Sequence, residues 1–396
     1  MKQNAFVGLM AMLMSLSALS IDAVLPALSS IGQALQVTHP NQNQWVIGWL
    51  FLGLAVGLMF YGPLSDAMGR KKAIYLGIGI FLVGNLISLF ADDLSSMLLG
   101  RFCQGLGAAS CRVVTVAMIR DRFEGTEMAR IMSFIMMLFI LVPMLAPLVG
   151  QLVLMMANWR MIFLVILLLG LIGLIWLYRG QEETLAPHKR VPFSFSRIGA
   201  GVKETLLHPV SRNYMLAAGI IFGAFVGYLS SIQQIIQVHY GQGGAFAVYF
   251  GLLALVIGFS SFMNSRLLGK YTLQQICRGA LIWVTLISAV FLTWLLSRDT
   301  EPELYQVVLF LVSVFLVVGS LFSNFSALAT QPVGHIAGLA SSVISAIQTL
   351  ISVTIGGLIG QAYDGTVVPL VAGFFVCGLV TSLVVFNTPE YLPKAA

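Results

Sequence analysis

About twelve apolar stretches, each near the ~20 residues that a bilayer core requires, follow one another along this 396-residue chain. Their approximate limits are 5–28, 44–63, 73–91, 98–118, 131–155, 161–178, 214–236, 246–265, 279–296, 304–328, 339–362 and 367–386. In lipid every backbone polar group needs an internal partner, so such stretches read as helices. Apolar residues make up 58% and charged residues 9%, with a mean hydropathy of +0.94. Soluble domains carry roughly 25% charge, and disordered chains are polar. The expected class is an all-α membrane protein with twelve transmembrane helices. The first stretch is longer than a signal-peptide core and has no small-residue cleavage site, so it reads as a retained helix.

One long polar break, 179–213, divides the stretches six and six. The expected organisation is a six-helix bundle over 1–178, a cytoplasmic central loop over 179–213, and a second bundle over 214–396. Two halves around a central site is a transporter layout. Lys and Arg collect on one side, the side of both termini, with Arg160 and Arg298 on the other and Arg101 and Arg112 inside spans. The positive-inside rule therefore places both termini in the cytoplasm.

Other classes fit poorly. The net charge of +6 is scattered among short loops, which argues against a nucleic-acid partner. Cys103, Cys111, Cys277 and Cys377 form no C-x-x-C pair, and the five histidines are isolated, so no metal or cofactor is expected. No clustered nucleophile and base suggests an enzyme. No ring of selectivity groups suggests a channel.

Three intramembrane charges stand out: Asp22, Arg101 and Arg112. Such residues cost about 2.5–3.5 kcal/mol to insert and usually face a cavity or a partner. Asp22 sits late in the outward first helix and Arg101 early in the inward fourth, so the two lie at comparable depth and an ion pair, direct or bridged by water, is geometrically possible. Arg112 follows Arg101 by about three turns on the same helix face. Asp22 reads as a proton site where substrate and proton compete, or as a structural partner of Arg101. Arg112 reads equally as lining a substrate cavity or as snorkelling inward.

Gln104, Tyr228, Gln233, Gln237, Asn324 and Gln348 are further cavity candidates, with Asn85, Gln234 and Asn264 beside them. Each could instead bond another helix. Trp45, Trp49 and Phe325 could offer aromatic walls, although Trp45 sits where an interfacial belt is expected. Glycines spaced by four (Gly53 and Gly57; Gly219, Gly223 and Gly227; Gly356 and Gly360) read as helix-packing seams. Pro143 and Pro147 share a face of the fifth helix and should bend it.

The run from Gly62 to Lys72, GPLSDAMGRKK, resembles the G-x-L-a-D-x-x-G-R-[RK] loop signature of the major facilitator superfamily. Gly62 and Gly69 would allow a tight turn there. Asp66 could accept bonds from the amino end of a neighbouring helix, and Arg70 could pair with Asp66 and Asp121. The resemblance implies that Gly62, Asp66, Gly69, Arg70 and Asp121 form a conformational latch. The stretch around Arg101, RFCQGLGAA, looks like the superfamily's fourth-helix motif, which links Arg101 to proton transfer. Pro143, Pro147 and Gly150, in PMLAPLVG, look like the antiporter motif of exporters, with Gln151 where a second glycine is usual.

The opening SIDAVLPAL, from Ser20 to Leu28, resembles the Bcr/CflA drug-resistance transporters, with Val24 in place of the usual tyrosine. The resemblance spans the chain and is strongest in its first half. It implies proton-coupled drug efflux by a major facilitator fold in the bacterial inner membrane. One acid and two arginines favour neutral, zwitterionic or anionic substrates over lipophilic cations. The expected partners are a small molecule, protons and the bilayer, and the expected state is a monomer. Two alternatives remain open: a proton-coupled exporter of an endogenous anionic metabolite such as a carboxylate siderophore, and a non-transport membrane protein.

Overall fold

Among the described residues, ten segments are long and apolar enough to cross a bilayer. The computed structural model describes residues 3–298 and 300–389, without the side chains of 129, 133, 136 and 138–140. Lys2 and Lys394, which the sequence places on the cytoplasmic side, lie outside the described residues. One of the ten segments, Leu304–Gln361, is two helices joined by a 3-10 turn. A further helix contributes the apolar run Leu141–Met156 beyond a charged start. The result is a twelve-helix multi-pass membrane fold, with no strand among the described residues.

The chain divides into two compact units, Met1–Ile198 and Gly199–Ala396. The first holds α1 (Gln3–Asp22), the short α2 (Leu28–Ala34), α3 (Trp45–Met68), α4 (Arg70–Leu89), α5 (Leu94–Arg122), α6 (Gly125–Met156) and α7 (Arg160–Gly180). A 13-residue helix, α8 (Phe195–Leu207), carries the unit boundary. The second unit continues with α9 (Pro209–Gln233), α10 (Phe246–Leu267), α11 (Leu273–Leu296), α12 (Leu304–Thr330), α13 (Ala337–Gln361) and α14 (Val368–Phe386). The stretch read from sequence as a central loop thus contains a helix. Its apolar positions, Ile198, Val202 and Leu206 among them, are too few to register in a membrane-length hydropathy window.

Small residues set the helix spacing. A Cβ at Gly53 of α3 would lie 2.0 Å from the Phe102 carbonyl of α5, and one at Gly105 would lie 1.9 Å from the Leu50 carbonyl. These two helices therefore touch backbone to backbone, which larger residues would prevent. In the second unit, Gly219, Gly223 and Gly227 of α9 receive Ile351, Ile355 and Ile359 of α13. Both helices advance by four at each contact, so they run parallel. Apolar side chains such as Phe90, Met155, Met156 and Leu296 stay at least 70% exposed, as expected of faces that lipid covers.

The first apolar stretch is not one helix. The α-helix ends at Asp22, and a 3-10 turn, Leu25–Ala27, with Pro26 inside it, leads into α2. Proline lacks the N–H that would continue the ladder. Gly62, expected in the loop turn, lies inside α3, which runs on to Met68. The turn itself is one residue, Gly69, with φ 98° and ψ 154°. That conformation is essentially reserved for glycine.

Candidate functional site

Asp22 closes α1 and is buried, 5% exposed. Its carboxyl has no hydrogen-bond or ion-pair partner among the described residues. The direct ion pair with Arg101 that their shared depth allows is not formed among the described residues. Arg101 is fully buried, and its Nε donates to the Val46 carbonyl at 2.9 Å. Its Nη1 donates to the Ser20 carbonyl at 2.9 Å and to Gln104 Oε1. Carbonyls in the last turn of a helix lack an intrahelical partner, and Ser20 belongs to that turn of α1. Arg101 therefore caps the helix that presents Asp22 and leaves the acid itself unpaired. A cation at a helix C-terminus also meets the negative end of the macrodipole.

The network extends further. Gln104 Nε2 donates to Asn85 Oδ1 at 2.7 Å, and Asn85 Nδ2 donates to the Phe81 carbonyl at 2.8 Å. Phe163 of α7 places its ring 5.9 Å from the guanidinium. Arg101 thus joins α1, α3, α5 and α7, and through Gln104 the network reaches α4. Gln104 and Asn85, read from sequence as cavity-lining, are fully buried and spend these bonds on one another.

Gly150 of α6 sits against the break after Asp22. A Cβ there would lie 2.0 Å from the Ala23 carbonyl and 3.1 Å from Pro26 Cγ. Pro147 is buried one turn earlier, and α6 continues through both Pro143 and Pro147. This motif glycine and the acid are therefore neighbours in space.

A second cluster surrounds Arg70, the first residue of α4. Its Nε donates to Asp121 Oδ2 at 2.9 Å, and its Nη1 donates to Ser65 Oγ at 2.8 Å and to Asp66. Asp66 of α3 thus accepts from the Arg70 side chain and not from the backbone amides at the amino end of α4. That amino end is taken by Glu183, which sequence reasoning did not single out. Glu183 accepts from the amides of Arg70 at 3.0 Å and Lys71 at 3.2 Å. No local pattern could have found a contact between residues so distant in the chain.

The remaining candidates do not converge. Arg112 is exposed and has no hydrogen-bond or ion-pair partner among the described residues, in contrast with Arg101 on the same stripe of α5. Tyr228 is buried among Phe225, Phe250 and Phe315, with ring centroids 5.7, 5.9 and 4.9 Å away. Asn324 and Asn264 exchange reciprocal bonds of 2.9 Å between α12 and α10. Phe325 packs on Tyr214. Gln233 donates to Gln237 at 2.7 Å where α9 passes into a π-helical turn, Gln234–His239. Gln348 of α13 is buried with its Nε2 unpartnered. The parallel α9–α13 register places Gln348 about 25 Å from Gln233 along the helix axis at 1.5 Å per residue. Trp45 and Trp49 are each more than a third exposed.

The Major Facilitator Superfamily pattern matches residues 10–360. The chain belongs to the major facilitator superfamily. Within that superfamily it is 30% identical over 390 residues to the "Uncharacterized MFS-type transporter YdgK" of Bacillus subtilis, covering 97% of this chain and 95% of that one. It is 28% identical over 384 residues to the "Bicyclomycin resistance protein homolog" of Haemophilus influenzae, covering 96% and 94%. Among solved structures, the partially occluded inward-open xylose transporter XylE from E. coli superposes with a TM-score of 0.76 at 12% identity, covering 99% of both chains. That likeness bears on the superfamily fold alone.

Proposed function

We propose that this transporter is a proton-coupled exporter of drug-like small molecules, of the Bcr/CflA group, in the bacterial inner membrane with both termini cytoplasmic. The observation that carries the reading is Asp22: a buried carboxyl, without a partner among the described residues, at the broken end of α1. A carboxyl so placed exchanges protons without first breaking an ion pair. The resistance-protein name of the Haemophilus relative supports drugs as cargo. Proton and substrate compete for the site, and each favours a different state of the transport cycle by its differential affinity. The two six-helix units act as the two halves, with 179–213 as the cytoplasmic connection. Arg101 positions Asp22. Pro143, Pro147 and Gly150 seat α6 beside it, and the cluster of Asp66, Gly69, Arg70 and Asp121, with Gly62 one turn back in α3, is the conformational latch. Arg112 in the first unit, and Gln233, Gln237 and Gln348 in the second, are the substrate contacts, and the working unit is a monomer.

The test is substrate-triggered proton release from purified protein in weak buffer. Bicyclomycin, chloramphenicol, tetraphenylphosphonium and a tricarboxylate serve as the neutral, cationic and anionic probes. Release by a neutral or anionic probe, lost in Asp22→Asn, is the expected result. Binding of a probe without release overturns the role of Asp22.

A second reading is favoured by one observation: Arg112 is an exposed guanidinium within a span, without a partner among the described residues. It suits an anionic metabolite as cargo. Arg112→Ala should then weaken the tricarboxylate selectively, whereas equal loss for every probe would make Arg112 structural.

A further inference from the structure

The segment that leaves α7 does not simply connect the two units. It folds back over the Arg70 cluster of its own unit and supplies what α4 lacks. The N-cap of α4 is Gly69, which has no side chain to satisfy the first amides of the helix. The Glu183 carboxylate fills that place from 113 residues away: Oε1 accepts from the Arg70 amide at 3.0 Å and Oε2 from the Lys71 amide at 3.2 Å. Oε1 also accepts from the amides of Thr184 at 2.9 Å and Leu185 at 3.1 Å, so the carboxylate fixes its own loop in the same act. Two further bonds tie that loop to the same cluster. Thr184 Oγ1 donates to Asp121 Oδ2 at 3.0 Å, the oxygen that also receives Arg70 Nε. The Val191 amide donates to the Asp66 carbonyl at 3.0 Å. The fit is close: a Cβ at Gly69 would lie 2.4 Å from Glu183 Oε2.

We propose that Glu183 is a positioning residue for transport. It anchors the amino end of α4 and so holds Arg70 within reach of Asp66 and Asp121. It also makes the chain after α7 a strap that must be released when the cluster opens. A carboxylate suits this role because it adds charge-assisted bonds to the positive end of the helix macrodipole. The role in transport rests on the latch reading given above, whereas the capping contact stands apart from it.

Two measurements on the full-length protein in lipid nanodiscs and vesicles test the proposal. The first is backbone hydrogen exchange. In Glu183→Ala, amides of 70–72 and 184–191 are expected to exchange at least ten-fold faster, while α14 keeps its wild-type protection. Glu183→Gln, which retains an acceptor, should recover part of the protection. Glu182→Ala removes the same charge from an exposed neighbour and should change nothing. Unchanged exchange in Glu183→Ala, an equal effect of Glu182→Ala, or loss of protection throughout the chain overturns the proposal. The second is proton-driven uptake of bicyclomycin into inverted vesicles. The maximal rate of Glu183→Ala is expected to fall several-fold with KM within two-fold of wild type. A normal maximal rate alongside lost protection overturns the positioning role. Arg70→Ala, measured in parallel, separates the two ideas: its full activity would fell the latch reading, while the exchange result still decides the cap.

Discussion

Arg101 Nη1 donates a hydrogen bond to the carbonyl of Ser20 at 2.9 Å, two residues before Asp22. Of the two roles open to this arginine, pairing with the acid and holding the helices together, the contacts belong to the second: it holds the end of the helix that carries Asp22. Arginine suits this task because its planar fork serves several carbonyls at once. Nε and Nη1 together reach Val46, Ser20 and Gln104. Arg101→Ala should therefore lower stability by about 3 kcal/mol or more, since three buried acceptors lose their donor. Arg101→Lys should recover only part of this, because one ammonium cannot reproduce the fork. Thermal unfolding of the purified variants in detergent checks both, and a wild-type Tm for Arg101→Ala would refute the capping role.

Asp22→Asn should behave in the opposite way. The carboxyl spends no hydrogen bond on the protein, so its replacement by an amide of the same shape should leave Tm close to wild type. Proton release on substrate addition should vanish. A large fall in Tm would show that Asp22 is part of the frame.

Gly150→Ala would force a methyl group to within 2.0 Å of the Ala23 carbonyl. Overpacking of this kind typically costs about 1–3 kcal/mol. Because the contact is with backbone, α6 must move away from the break after Asp22, and export of bicyclomycin from cells should fall with it. Gly48→Ala is the control, since a Cβ there meets nothing within 4 Å. Equal export by the two variants would contradict the close approach.

One pH dependence lies outside the spans. Asp93 caps α5, accepting from the Ser96 amide at 2.9 Å, and this bond holds its carboxyl below the usual carboxylate range. A carboxyl depressed in the folded state stabilises the fold above its unfolded value of about 3.9, and the benefit is lost as pH falls through the folded value. Asp93→Asn caps without a charge, so its Tm should approach that of wild type as pH drops from 6 to 3. A constant difference across that window would exclude the linkage.

The helices were legible because lipid imposes their length and apolar content, yet their ends were not. The stretch read as 98–118 is a helix over Leu94–Arg122, since charged residues such as Arg120 and Arg122 continue the helix beyond the apolar run. Depth along a helix was legible too: it put Arg101 level with the end of α1. Azimuth and free acceptors were not, and these gave the guanidinium to Ser20 rather than Asp22. Asn324 and Tyr228 were legible as unusual residues in apolar helices, but a sequence does not say which neighbour satisfies them. Glu183 was silent for a different reason. It sits among other polar residues, and its partners lie 112 and 113 residues earlier.

Between Met68, the last residue of α3, and Arg70, the first of α4, there is Gly69 alone. One residue spans at most about 3.6 Å, so this joint holds no slack. A longer loop would absorb a tilt of either helix by uncoiling. Here any displacement of the end of α3 is passed at once to the foot of α4, so the two helix ends travel together even where their axes turn about the glycine.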